Sequence, residues 1–360
     1  MGGWQIHSYG ALEELQYSEN LRIPQIRSAN QCLVKVQATT VNPIDVAMLK
    51  GYGAKVLNTL RCQATAIEFP LTLGREFCGE LVQRGMGVSS KVSVGDRVWG
   101  VVPVHAVGAH AEYVAVPDCC LSRAPATLSN EDAAAVLYAG LTAWSGLYIT
   151  AQLGGICGAA TSSGGGSGQR VLVLGGSGAV GSLAIQLLKS QGVQVVATCS
   201  EDAVGMVQSL GPDLVIDYKN PVEMQTLRSY TPFDIILDCA GQGAQAAETI
   251  NVPFRQYVTF SSPLLRNIDN SGLGLGLLKN IADLVDTNVK SLSKQGGFVK
   301  WGFFVAAPQG IEFLQKLVER RKLLPNIDSH YDFKNLPQAF QRVQDGHLRG
   351  KVVVNLNKNL

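Results

Sequence analysis

The feature that most constrains how this chain can fold is a glycine-rich turn between an apolar strand and a helical segment. The strand Val171–Leu174 leads into Gly175-Gly176-Ser177-Gly178-Ala179-Val180-Gly181, and a helical pattern continues to Gln191. Its G-x-x-G-x-x-G spacing allows a sharp turn, close approach of the backbone to a diphosphate, and tight packing of helix on strand. Because the first turn of a helix presents unpaired N–H groups to an anion, the pattern predicts a dinucleotide site, with a purely structural turn as the alternative.

The rest of the central segment repeats this alternation of strand and helix. Apolar strands are predicted at Val193–Thr198, Leu214–Ile216 and Ile235–Leu237, with a helix that ends at Leu210-Gly211. Continuous runs of Val, Ile and Leu are typical of parallel strands that are buried on both faces. The sequence therefore predicts a doubly wound α/β domain over residues 133–311.

The two ends of the chain have a different pattern. Short alternating runs in residues 1–132 predict a compact, barrel-like β domain; they are Cys32–Ala38, Gly79–Arg84, Arg97–Val102 and Ala111–Val116. The tail, residues 312–360, begins in a helix with an apolar face and ends in the strand Lys351–Val354. We expect this tail to return to the first domain. The patch Ser162–Gly168 is predicted to be a solvated loop.

Composition excludes several classes of function. Thirty Lys and Arg against 28 Asp and Glu give a net charge of +2, and no basic block of the kind that binds nucleic acid is present. No run of about 18 apolar residues predicts a membrane span. The eight cysteines contain no C-x-x-C pair and are predicted to be free, buried thiols in a reducing compartment. The adjacent Cys119 and Cys120 leave a redox pair open as an alternative.

The end of the second strand of the βαβ unit indicates which dinucleotide the site prefers. An NAD site usually carries a carboxylate there to bind the ribose 2′-hydroxyl. Here the strand ends Val196-Ala197-Thr198-Cys199-Ser200, so the sequence predicts NADPH, with Ser200 as a hydrogen-bond donor to the 2′-phosphate. Glu201 follows immediately and counts against that preference.

The histidines indicate what chemistry the site performs. They stand at 7, 105, 110, 330 and 347, and none pairs with a cysteine at zinc-ligand spacing. We therefore expect no metal site. Without a Lewis acid, oxidation of a plain alcohol is difficult, whereas hydride delivery to a quinone or a conjugated enone needs much less polarisation.

Four motifs occur in order along the chain: Val41–Val46 (VNPIDV), Leu73–Gly79 (LGREFCG), Val94–Val98 (VGDRV), and Ala133–Leu137 leading to Leu141–Trp144. With the glycine turn and the ending Gly350–Val353, they resemble the medium-chain dehydrogenase/reductase superfamily, quinone oxidoreductase (zeta-crystallin-like) branch, over essentially the whole chain. Within that branch, Phe69–Arg75 and Lys300–Phe304 resemble the mitochondrial reticulon-interacting group. The resemblance implies a GroES-like β-barrel catalytic domain (1–132 and 312–360) and a Rossmann doubly wound parallel sheet (133–311).

The same resemblance implies the cofactor contacts. They map onto Ser177, Gly178, Ala179 and Val180 at the diphosphate, Ser200 and Tyr218 at the adenosine ribose phosphate, Phe260, Gly302 and Phe304 at the nicotinamide half, and His347 and Arg349 in the C-terminal segment. Zinc-dependent relatives carry a cysteine near the Asn42 position and a histidine at the Arg75 position, and both are absent here. Many quinone reductases also carry a lysine where this chain has Ala203.

Several of the site residues also have a purely structural interpretation. The candidate catalytic residues are Asn42, Asp45 and Thr142. The alternatives are that Asn42 caps the turn before Pro43, that Asp45 supplies a helix N-terminal charge, and that the Thr142 hydroxyl bonds back to a helix carbonyl. Tyr218 can be an ordinary strand-end aromatic and His347 an ordinary surface residue. Arg349 is the better phosphate partner, because a guanidinium is always charged and binds phosphate in a bidentate manner.

The sequence and the resemblance together predict a zinc-independent NADPH oxidoreductase that reduces a quinone or an enone. Two alternatives stay open: a protein that binds NADPH without turnover and acts through a partner, and an enoyl-thioester reductase. The resemblance further implies a mitochondrial matrix location with a role in ubiquinone metabolism, contact with a reticulon at the outer membrane, and a homodimer. A cytoplasmic location is the alternative, because the N-terminus shows no leader pattern.

Overall fold

The computed structural model describes residues 1–62, 68–155 and 168–356. Cys157, the side chain of Cys62 and residues 162–167, for which the sequence makes predictions, lie outside the described residues.

The strands follow the alternation that the sequence predicts, and their bounds are, in chain order, β1 (Gly3–Gln5), β2 (Gln16–Ser18), β3 (Gln31–Val41), β4 (Glu76–Arg84), β5 (Arg97–Val101), β6 (Tyr113–Pro117), β7 (Leu121–Arg123), β8 (Arg170–Leu174), β9 (Gln194–Cys199), β10 (Leu214–Asp217), β11 (Phe233–Asp238), β12 (Phe254–Thr259), β13 (Phe298–Trp301), β14 (Ile327–Asp332) and β15 (Lys351–Asn355).

The helices are α1 (Pro43–Leu49), α2 (Ala54–Cys62), α3 (Asn130–Ala134), α4 (Leu137–Trp144), α5 (Ala179–Ser190), α6 (Val204–Ser209), α7 (Pro221–Thr226), α8 (Leu264–Gln295), α9 (Pro308–Glu319) and α10 (Leu336–Gln344). A π-helical turn, Ser145–Thr150, continues α4.

One sheet joins the two ends of the chain. Its strand order is β14-β15-β3-β4-β5-β7, and β6 also pairs with β3. β15 runs antiparallel to β3, with Val352 opposite Val41, so Lys351 lies beside Asn42 at the end of β3. The tail strand therefore brings a residue from near the C-terminus to the first motif of the chain.

The other large sheet is parallel and has the order β10-β9-β8-β11-β12-β13. Along β8, Val171 and Val173 belong to one apolar core, whereas Leu172 and Leu174 belong to another on the opposite face. This burial on both faces explains why the strand sequences are continuously apolar. The chain leaves β8 toward β9 on one side and β11 lies on the other, so the carboxyl end of β8 opens onto a crevice of the kind that binds dinucleotides. The domain bounds 1–132, 133–311 and 312–360 stay a prediction.

Within the described residues, the helical segment Asn130–Thr150 is long and apolar enough to cross a membrane by length and composition alone, and 83 % of its apolar window is buried inside the protein. The expectation that no such segment exists was therefore too strict. The burial is that of a core helix, since α4 packs against α5 and α9.

The expectation that the cysteines are buried is wrong for two of them. Cys119 is exposed and Cys239 is half-buried, whereas Cys32, Cys78, Cys120 and Cys199 are buried as expected. No helix was predicted over Leu264–Gln295, where two helical stretches meet at a kink at Gly272. The apolar residues of the second stretch face outward: Leu278, Ile281 and Val285 are all more than half exposed, at 64 %, 54 % and 57 %. Its buried positions are polar or small instead and include Asn280, Thr287 and Ser291.

Candidate active site

The glycine turn forms a cradle at the N-terminus of α5. Gly175 has a φ of +78°, a conformation that favours glycine, and a Cβ on Gly181 would lie 2.2 Å from the Gly175 carbonyl oxygen. Gly178 is different. Its φ is −75°, which any residue adopts, and a Cβ there would meet only the Gly175 oxygen, at 3.7 Å. Neither conformation nor packing requires glycine at 178, and the absence of a side chain there leaves room at the helix N-terminus.

The N–H groups around this room suit an anion. The N–H groups of Ala179 and Val180 belong to the first turn of α5 and therefore have no intrahelical acceptor. The N-cap, Gly178, has no side chain that could accept from them. The partial positive charge of the helix end adds to them. These residues fit the diphosphate of a dinucleotide.

A second cluster lies beside the cradle, where β9 ends. The guanidinium of Arg349 donates hydrogen bonds to the hydroxyl oxygens of Ser200 (2.9 Å) and Ser177 (3.4 Å). It also binds one carboxylate oxygen of Asp202, a residue that the sequence reasoning missed: Nη2 and Nε both donate to Oδ2, at 2.7 and 3.2 Å. The Ser200 hydroxyl donates to Oδ1 of Asp202 at 2.6 Å. The hydrogen bonds from Ser200 and Arg349 lower the pKa of Asp202 to about 2.

Tyr218 and His347 stand near the surface of this region. Tyr218 is 47 % exposed, and its backbone N–H donates to the Cys199 carbonyl at 3.1 Å, which holds it at the end of β9. His347 is exposed with a φ of +50° in the turn that precedes Arg349. The structure therefore brings Ser177, Ser200 and Arg349 together by direct hydrogen bonds. The side chains of Tyr218 and His347 lie in the same region but form no hydrogen bond to these three among the described residues.

Aromatic rings form a wall where the parallel strands end. The ring of Phe304 stacks on that of Tyr138, with centroids 4.3 Å apart and an interplanar angle of 18°. Phe260 packs closely on two glycines, because a Cβ on Gly302 or on Gly146 would lie 2.9 or 2.6 Å from its ring. Glycine at 302 is thus explained by packing against Phe260. Burial raises the pKa of Tyr138 well above its ordinary value, so the phenol is neutral.

Thr142 lies on α4, one helical turn after Tyr138. Its hydroxyl donates to the Tyr138 carbonyl at 2.7 Å, which is the back-bonded arrangement that the sequence left open. The proton is therefore directed into the helix, and the oxygen lone pairs stay available to accept a hydrogen bond.

Asn42 belongs to a buried polar cluster that links β3, β4 and β15. Its amide nitrogen donates to Thr40 Oγ1 (3.1 Å) and to Glu76 Oε1 (3.2 Å), and its oxygen accepts from the ammonium of Lys351. Lys351 also forms an ion pair with Glu76, and both side chains are at most 4 % exposed. The second Glu76 oxygen accepts from the Tyr138 N–H at 2.8 Å, which connects this cluster to the aromatic wall. With both amide protons and the oxygen engaged, Asn42 has few groups left for a substrate.

Asp45 faces the protein interior. One oxygen accepts from the Gly74 N–H (2.8 Å) and the other from the Asn42 N–H (2.9 Å), which is half of a capping box at the start of α1. Its partner charge is Arg75, whose Nε lies 3.6 Å away, and both side chains are fully buried. These contacts favour the role of a helix N-terminal charge for Asp45.

Arg75 fills the place where the zinc-dependent relatives are expected to have a ligand. Its guanidinium donates to the carbonyls of Pro103, Val104 and Ala106 at 2.9–3.2 Å, and burial lowers its pKa below the ordinary value. In the part of the chain that the structure describes, no three His, Cys, Asp or Glu side chains are grouped as metal ligands. Zinc independence stays a prediction.

The sequence reasoning missed Glu76, Lys351 and Asp202. A signal was present for the first two, because each is a charged residue directly before a run of apolar strand residues, where a buried charge is retained only with a partner. Asp202 gave a weaker signal, because it lies two residues beyond Ser200 and so outside the strand end where the specificity residue is expected.

Two family models match the chain. One is described as an alcohol dehydrogenase GroES-like domain and matches residues 28–126, and the other is described as a zinc-binding dehydrogenase and matches residues 210–354. Among curated relatives, the Drosophila melanogaster protein "NAD(P)H oxidoreductase RTN4IP1, mitochondrial" is 66 % identical over 360 residues, which cover 99 % of this chain and 87 % of that protein.

The Homo sapiens protein of the same name is 38 % identical over 370 residues, covering 99 % of this chain and 89 % of its own length. Among solved structures, the quinone oxidoreductase from Coxiella burnetii superimposes with a TM-score of 0.74 and 26 % sequence identity, over 99 % of both chains.

Proposed function

The chain belongs to the medium-chain dehydrogenase/reductase superfamily, in the family of the NAD(P)H oxidoreductases RTN4IP1, and on that premise we propose that it is a zinc-independent NADPH oxidoreductase that reduces a quinone or another activated alkene or carbonyl. The observation that carries this proposal is the pairing of the glycine cradle with Arg349. The cradle offers the free N–H groups of a helix N-terminus, and Arg349 holds a permanent positive charge beside the hydroxyls of Ser177 and Ser200.

The preference for NADPH follows from the charges at the adenosine end. A guanidinium and two hydroxyls match a phosphate better than a ribose hydroxyl, because charge-assisted hydrogen bonds are stronger than neutral ones. Ser177, Ser200 and Arg349 would hold the 2′-phosphate, and the first turn of α5 with Gly178, Ala179 and Val180 would hold the diphosphate.

The bound dinucleotide supplies a hydride, and the protein's own residues orient and shield the ring that carries it. We assign Thr142 as an acceptor for the carboxamide N–H of that ring, since its hydroxyl proton already points to the Tyr138 carbonyl. Phe260, Gly302 and Phe304 would form the apolar wall. Asn42 positions this wall through Glu76, and the proton for the product comes from water or a hydroxyl.

Zinc independence is supported by Arg75. A buried cation with three carbonyl partners and the Asp45 carboxylate occupies this part of the barrel domain, and a second cation beside it would be repelled.

The direct test is turnover. Purified protein with NADPH and a small para-quinone should consume the reduced cofactor continuously, and addition of a chelator should leave the rate unchanged. Arg349→Gln should raise KM for NADPH far more than KM for NADH. Arg255→Gln is the matched control, since Arg255 is 74 % exposed and lies in a distant surface ion pair. Saturable NADPH binding without turnover on any quinone or enone would instead support the non-catalytic binding protein.

The names of the relatives are the basis for proposals about the location and the partners of this protein. We propose that the protein is mitochondrial, as the relatives are named, and acts in the matrix on a ubiquinone-type substrate. Contact with a reticulon is suggested only by the name of a Caenorhabditis elegans relative, "Reticulon-4-interacting protein 1, mitochondrial", which is 35 % identical over 340 residues. A homodimer is expected from the superfamily, and sedimentation of the purified protein tests it.

A further inference from the structure

The guanidinium of Arg349 already binds an anionic group of the protein itself. The Asp202 carboxylate accepts from Arg349 at 2.7 and 3.2 Å and from the Ser200 hydroxyl at 2.6 Å. Ser200 in turn accepts from Arg349 at 2.9 Å, so the three side chains form a closed ring of hydrogen bonds. An oxyanion therefore lies on the same two donors that a 2′-phosphate would use.

The backbone of Arg349 is fixed independently of this ring. Its N–H donates to Oδ1 of Asp328 at 2.9 Å, and Asp328 is held by a bidentate pair with Arg342, with both distances between 2.8 and 2.9 Å. The Asp328 side chain is only 6 % exposed. Arg349 thus stays at the site while its long side chain retains freedom to change partner.

The Asp202 carboxylate, in contrast, is easily displaced. Its side chain is 67 % exposed, whereas that of Arg349 is 31 % exposed. An exposed ion pair contributes little to stability, and a doubly charged phosphate competes well for the same guanidinium. After displacement, the carboxylate would remain next to the phosphate and repel it.

We propose that Asp202 determines the cofactor specificity of the site: its carboxylate occupies the 2′-phosphate position on Arg349 and Ser200, must leave when a 2′-phosphate binds, and thereby reduces the preference for NADPH over NADH. This inference rests on the proposed NADPH site.

The experiment measures binding of two fragments by calorimetry: 2′,5′-ADP, which carries the 2′-phosphate, and 5′-ADP, which does not. Asp202→Asn should tighten 2′,5′-ADP by roughly five- to tenfold and leave 5′-ADP unchanged, because only the phosphate competes with the carboxylate. Asp286→Asn is the matched control, since Asp286 is also in a surface ion pair and is 63 % exposed; it should change neither affinity.

A double variant separates the contact from a general charge effect. In an Arg349→Gln background the gain from Asp202→Asn should vanish, since nothing remains to compete for. A gain that persists there, or an Asp202→Asn protein whose affinity for 2′,5′-ADP is unchanged while the native protein binds NADPH, overturns the inference alone. Weaker binding of 5′-ADP by Asp202→Asn also overturns it, because the carboxylate would then bind ribose hydroxyls. If the native protein binds neither fragment nor NADPH, the proposed function fails as well.

Discussion

Substitution of Gly178 tests whether the cradle holds a diphosphate. The residue is the N-cap of α5 with a φ of −75°, so alanine is allowed by the backbone. A Cβ at 178 has its nearest neighbour at 3.7 Å, an ordinary contact. The fold should therefore accept Gly178→Ala, at a cost of about 1 kcal/mol for the poorer N-cap.

Binding of the dinucleotide diphosphate, in contrast, should be weakened by Gly178→Ala. Hydrogen bonds from backbone N–H to phosphate oxygen need donor and acceptor about 2.9 Å apart, and a methyl group at the N-cap prevents that approach. A hydrogen bond to a charged group contributes about 1.5–3 kcal/mol. Loss of one such bond therefore weakens binding by roughly ten- to a hundredfold, at about 1.4 kcal/mol for each tenfold change.

The assay is titration of NADPH by intrinsic fluorescence, with thermal unfolding as the measure of stability. Gly274→Ala is the matched control, because a Cβ on Gly274 meets nothing within 4 Å and the residue lies in the segment Leu264–Gln295, which packs on β13 at the opposite edge of the parallel sheet from β9. Gly181→Ala should instead destabilise the protein, since its Cβ would lie 2.2 Å from a carbonyl oxygen. A Gly178→Ala protein that is folded and binds NADPH within about twofold of the native affinity would refute the reasoning.

Three further predictions concern charges and thiols. Lys351→Met should destabilise the protein by about 3–5 kcal/mol because it leaves the Glu76 carboxylate buried without its partner, and Glu76→Gln in the same chain should restore much of the melting temperature. The Asp202 carboxylate should stay ionised as pH falls below the ordinary pKa of 3.8, and its ion pair should be lost only as pH falls through about 2, which a carboxyl NMR titration measures. Cys119 should be alkylated faster than Cys120 in the native protein, since it is exposed whereas burial raises the pKa of Cys120 to about 12; peptide mass spectrometry would contradict this if both reacted equally.

Local patterns were sufficient for the parallel sheet and its glycine turn. Strand β8 and helix α5 each have a period and composition that agree with their tertiary environment, so the predicted and observed bounds nearly coincide. Helix α8 fails this condition. Its buried face carries Asn280, Thr287 and Ser291 while Ile281 and Val285 face outward, so hydrophobic periodicity points to the wrong face.

The candidate site also has one part that local sequence predicts and one part that it does not. The phosphate cradle lies within one continuous segment, so spacing along the chain reports its geometry directly. The contacts of Asn42 are different, because its partners Glu76 and Lys351 are 34 and 309 positions away. Sequence spacing contains no information on such pairs. The interpretation of Asn42 as a turn cap therefore did not predict the buried Lys351–Glu76 ion pair beside it.

The amino-acid sequence by itself therefore determined the strand–turn–helix unit that opens a helix N-terminus to an anion, since sterics of glycine and helix polarity act over a few residues. Only the tertiary structure decided which charges meet. Strand β15 must pair with β3 before Lys351 reaches Glu76, and the segment before β15 must fold back on β9 before Arg349 reaches Ser200 and Asp202. Electrostatic partners are chosen by distance in space, and that distance is a property of the packed sheets.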